Sequence, residues 1–93
     1  MGKYTLPITE NAEYVKYLGK VTKTIESSDN RHSEACLRLF NAFKKRWEGE
    51  FEDCKPSRLF FNDKKTWESD HEKFKGHCND LEKKVASLFE YES

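Results

Sequence analysis

An all-α fold is predicted, an up-down-up three-helix bundle with a long C-terminal helix, and three observations predict it. Trp67, His71, Phe74, Cys78, Leu81, Val85 and Leu88 fall at alternating steps of four and three, the a/d seam of a heptad held for three repeats. Two earlier stretches carry apolar stripes of the same period. The breaks between the three stretches are short, and short connections make helices antiparallel neighbours.

The first eight residues show no periodicity and include Pro7. Thr9 is placed to cap a helix that opens with Glu10 and Glu13, acids that the helix dipole favours in a first turn. Tyr14, Leu18, Val21 and Ile25 then form its stripe, with Lys16, Lys20 and Lys23 on the other side. The polar cluster Ser27-Ser28-Asp29-Asn30 closes it. A first helix over about residues 9–27 follows.

The second helix is expected over about residues 33–53, with Ser33 as its N-cap. Cys36, Phe40, Phe43, Trp47 and Phe51 form the stripe, widened by Leu37 and Leu39. Lys55-Pro56 ends the helix, because a residue before proline is pushed out of the α region. The third helix is expected over about residues 62–90, capped by Asn62 or Asp63, or five residues earlier by Ser57. Glu68, Asp70, Glu72, Lys73, Lys75, Asp80, Glu82, Lys83 and Lys84 lie between its stripe residues and read as a solvated back face. Residues 1–93 thus form one helical domain, and heptad stripes of this length also suit self-association.

Composition narrows the function classes. Charged residues make up 37% of the chain, yet seven Phe, four Tyr and two Trp provide for a compact core, so this is not a disordered chain. The 17 basic residues balance 17 acidic ones. Phosphate neutralisation supplies most nucleic-acid affinity, so an even balance argues against nucleic acid as a partner. Three cysteines with no CxxC and no signal peptide point to a reducing compartment. No apolar run approaches 18 residues, which argues against a membrane span. The expected location is cytoplasmic, with passive entry to the nucleus open to so small a chain.

Few constellations suggest chemistry. His32 and Cys36 are one helical turn apart, and an antiparallel pairing about Pro56 brings Cys36 towards Cys78. A zinc site needs three or four ligands, and these three fit it less well than Cys36 and Cys78 fit the core. His71 occupies a stripe position facing Trp47 in that register, and it reads as a bundle-edge residue. His77 is expected to point away from His71 and Cys78. The four glycines are isolated, so no phosphate-cradling loop exists. No catalytic residue, cofactor or metal is therefore expected.

Two features bear on binding. Lys44, Lys45 and Arg46 stand beside Trp47, and Lys64 and Lys65 form a second basic pair. Acidic neighbours at i, i+4 make these read as a salt-bridged face, and a helical nucleic-acid module using them is the alternative function. Leu59, Phe60 and Phe61 form an apolar burst in the connector after Pro56. Clustered large apolar side chains are what interface hot spots use, and the other reading is a cap over the open end of the bundle. The expected function is a non-catalytic protein-protein interaction module (assembly factor, adaptor or inhibitor) that binds another protein or a second copy through Leu59, Phe60 and Phe61. A cysteine-based metal or redox switch is the third reading.

Overall fold

A computed structural model of the chain describes residues 8, 10–57, 59 and 61–90. Helix α1 spans Ala12–Ser27, α2 Ser33–Asp53 and α3 Phe61–Glu90, with a 3₁₀ turn at Asn30–His32 between the first two. No strand occurs among the described residues. The fold is an all-α three-helix bundle. At 30 residues α3 is about 45 Å long, close to the molecule's longest dimension of 51 Å.

Cross-helix partners set the topology. Ile8–Asp70, Tyr14–His77 and Glu26–Lys84 keep offsets of 62, 63 and 58 residues, so α1 and α3 run parallel. Phe43 meets Tyr17 and Phe74, while Phe51 meets Trp67. Numbers that rise on one helix as they fall on the other make α2 antiparallel to both.

Each helix end has a local cause. Asn11, not Thr9, caps α1: its backbone is extended, and its side chain accepts from the Tyr14 amide at 2.9 Å. Thr9 itself lies outside the described residues. The helix starts three residues later than expected, and ahead of it the buried Ile8 donates its amide to Asp70 of α3. Asp29 caps the 3₁₀ turn through the Arg31 amide at 3.0 Å. The Arg31 hydrogen bond holds the Asp29 carboxyl low, at about 2. Ser33 is therefore the first helical residue of α2, not its cap, and it is buried. Cys54 ends α2, its amide donating to the Glu50 carbonyl at 3.1 Å and the Lys55 amide to the Glu52 carbonyl at 3.5 Å, just before Pro56. Helix α3 begins at Phe61, one residue before the expected start and four after Ser57.

The core follows the stripes closely. Val21 and Ile25 of α1, Cys36, Phe40, Phe43, Trp47 and Phe51 of α2, and Trp67, Phe74, Cys78, Leu81 and Val85 of α3 are buried with Tyr14 and Ile8. Leu18, Leu39 and Leu88 are partly buried against them, whereas Leu37 is exposed. The expectation that Asp70 belongs to a solvated face fails: it is 5% exposed, and its Oδ2 accepts the Ile8 amide at 3.3 Å. Two helices cover α3 rather than one, so its buried band is wider than a single seam. Positions 70, 77 and 84 meet the α1 side, while His71 and Cys78 turn towards α2.

Candidate functional site

The connector between α2 and α3 builds an apex on a tightly bonded base. Trp67, on the second turn of α3, donates its indole Nε1–H to the Phe51 carbonyl at 2.9 Å. The Cys54 thiol donates to the same carbonyl at 3.6 Å. That carbonyl belongs to the last turn of α2, where helix carbonyls lack helical donors, so the indole serves as an end cap. Lys55 places its ammonium 5.1 Å from the Trp67 ring centroid, a cation–π contact worth about 0.5–1 kcal/mol at exposed sites. Pro56 is buried. Trp67 stacks on His71 at 4.7 Å, and Phe51 packs against both.

On this base Leu59 is 89% exposed and Phe61 63% exposed. Phe60 lies outside the described residues. The reading in which Leu59 folds back over the bundle mouth does not match its exposure; Pro56 and Trp67 occupy that end instead. Lys65, one turn along α3, holds its ammonium 4.9 Å from the Phe61 ring centroid. The apex thus presents two large apolar side chains with cations at Lys55 and Lys65. Burying a Leu or Phe side chain fully is worth about 1.5–3 kcal/mol, so a partner covering both gains a substantial anchor.

Lys44, Arg46 and Lys65 face different neighbours. Arg46 reaches across to Glu13 of α1 instead of pairing with Glu50 on its own helix, and its guanidinium lies over the Trp47 and Tyr17 rings. Lys44 borders a cleft with Cys78 on the α3 side. Lys65 stands at the apex with Phe61. Trp47 is fully buried among core rings, and its indole N–H has no acceptor among the described residues.

The metal-like residues separate as well. His32 turns outward to Asp29, Nδ1 at 3.1 Å, while Cys36 points into the core. Among the described residues no three His, Cys, Asp or Glu side chains converge as a metal ion requires. Burial pushes the Cys78 thiol up to about 11 and raises Cys54 too. At neutral pH these are protonated thiols, and the thiolate is the form that attacks or ligates.

One polar pair escaped the sequence reading. His77 does point away from His71 and Cys78, but towards α1: its Nδ1 shares a 2.8 Å hydrogen bond with the Tyr14 hydroxyl, because α1 covers that side of α3. Burial raises the Tyr14 pKa well above that of an ordinary phenol, so the group stays neutral. With His77 neutral and its proton on Nε2, Tyr14 donates to Nδ1. The signal for this pair lies in spacing: Asp70, His77 and Lys84 repeat at sevens, one position before His71, Cys78 and Val85. His71 meets Phe51, Trp67 and Phe74 and remains partly exposed, as a bundle-edge residue does.

Burial is the main cause that lowers the pKa of both His71 and His77. Protons then bind the unfolded chain more readily, so these groups stabilise the fold fully above the unfolded value of about 6.5. That contribution drains away as pH falls below it towards the depressed folded values. The melting temperature is expected to be lower at about pH 5.5 than at about pH 7.5. A His71→Gln/His77→Gln variant should lose most of the difference; an undiminished difference would assign it to other groups.

No helix among the described residues is long and apolar enough to cross a membrane. Comparison with protein-family models, with curated proteins and with solved structures returned no match for this chain.

Proposed function

We propose that this chain is a small helical protein-protein interaction module, an adaptor, assembly factor or inhibitor, that acts without catalysis through its α2–α3 apex. One observation carries the reading: Leu59 and Phe61 stand in solvent on a base held by Trp67, Phe51 and Cys54. Exposed apolar side chains that lie close together mark interaction sites more often than singly scattered ones do, and rigid scaffolds aim binding loops. Protonated thiols at Cys54 and Cys78 and a neutral Tyr14 also support a non-catalytic role. The different neighbours of Lys44, Arg46 and Lys65 favour this reading over nucleic-acid binding. The partner is another protein or a second copy of the chain.

The test is Leu59→Ser and Phe61→Ser, made singly, with native mass measurement of the complexes each forms. Both side chains are exposed, so the melting temperature should stay within a few degrees of wild type. Loss of the wild-type complex at unchanged stability is expected. If both variants keep the complex, or both unfold several degrees lower, the apex is not the interface.

A further inference from the structure

A second surface, on the opposite edge of the bundle from α3, has the chemistry of a docking groove. Between α1 and α2 lies a concavity of about 330 Å³ lined by Glu13, Lys16, Tyr17, Lys20, Leu39 and Arg46. Tyr17 and Leu39 form an apolar floor: both are half-buried against the core, and the Tyr17 ring sits edge-on to Phe43 at 5.4 Å. Arg46 is already committed, paired with Glu13 and laid over the Tyr17 and Trp47 rings, so one wall is fixed in place. Lys16 and Lys20 form the other wall. Among the described residues the ion pairs that tie α1 to its neighbours are Glu13–Arg46 and Glu26–Lys84, and neither engages these two lysines. Gly19, beside Lys20 on this helix, leaves open space where a side chain would stand.

We infer that this groove receives an acidic amphipathic helix of a partner protein, which lays an apolar side chain on Tyr17 and Leu39 and sets carboxylates against Lys16 and Lys20. The spacing carries the choice of occupant. Lys16 and Lys20 are one turn apart, a rise of about 6 Å, which equals the separation of Glu residues at i and i+4 on the incoming helix. The groove holds three cations to one anion, and that anion is neutralised by Arg46. A nucleic acid fits less well, because two neighbouring lysines offer few phosphate contacts and the chain carries no basic excess. The surface is separate from the apex. Along α2, Arg46 and Leu39 lie about 12 and 22 Å from Cys54, so the inference stands or falls without the role proposed for Phe61.

The test is fluorescence anisotropy with three labelled probes: a helical peptide with Leu anchors and Glu at i and i+4, the same peptide with Gln for Glu, and a single-stranded oligonucleotide. The full chain should bind the Glu peptide and not the Gln peptide. Lys16→Glu/Lys20→Glu should weaken binding by about tenfold or more, since each exposed pair is lost and turned repulsive. Raising salt from about 0.05 to 0.5 M should weaken it too. Both lysines are exposed, and the melting temperature of the variant reports that it has folded. If charge reversal perturbs folding, Lys16→Gln/Lys20→Gln serves instead. Phe61→Ser should leave binding of the Glu peptide unchanged. Equal binding of the two peptides, no binding of either, or competition by the oligonucleotide at equal affinity would overturn the inference. So would a dimer of the chain that dissociates in the lysine variant, because a second copy would then be the occupant.

Discussion

Truncating Phe43 to Ala is expected to cost about 3–5 kcal/mol of folding stability. Phe43 is 0% exposed and stands where all three helices meet. Its ring lies 5.7 Å from Tyr14, 5.4 Å from Tyr17 and 6.0 Å from Phe74. Deleting it removes the transfer free energy of the side chain and leaves a cavity that three rigid helices fill only in part. The three ring contacts add to the loss, since aromatic pairs contribute about 0.5–1.5 kcal/mol beyond their buried area. Domains of this kind have roughly 5–15 kcal/mol in total, so the variant would lie near the edge of folding. A urea titration gives the measurement. The midpoint should fall sharply for Phe43→Ala, while exposed Lys45→Ala, two residues along, should stay within about 0.5 kcal/mol of wild type. Similar midpoints for the two variants would mean that the helix packs on a different face.

Asp70→Ala should cost about 1–3 kcal/mol, because it strands the amide of Ile8 in the core without its acceptor. Ile8 is 1% exposed, so water does not replace the carboxylate there. Asp70→Asn keeps an acceptor oxygen at the same reach and is expected to recover most of that stability. Thermal unfolding of the two variants measures the difference, and hydrogen exchange at the Ile8 amide locates it. Faster exchange in the Ala variant but not in the Asn variant is the expected result. If Asn and Ala behave alike in both measurements, the carboxylate charge rather than its hydrogen bond holds the segment before α1.

Much of this fold was legible in the order of residues. The period shared by Tyr14–Ile25, Cys36–Phe51 and Trp67–Leu88 determined three helices and which side of each is buried, because a stripe of that length leaves water only against other helices. Lys55-Pro56 determined where α2 stops, since proline acts on its neighbour's backbone and needs no distant partner. The apolar burst at Leu59 and Phe61 was visible for the same reason, as it breaks the helical period locally. Partners that act across the bundle were not legible. Asp70 and His77 look like surface residues when α3 is read as one seam. Only the tertiary structure placed α1 against that flank, which turned one carboxylate and one imidazole inward to Ile8 and Tyr14. Arg46 had a carboxylate within reach on its own helix and took Glu13 instead, because antiparallel packing brought α1 alongside. The exposure of Leu59 and the groove between Lys16 and Arg46 were likewise decided by which neighbours arrive, and a linear pattern holds no distance between residues that only folding brings together.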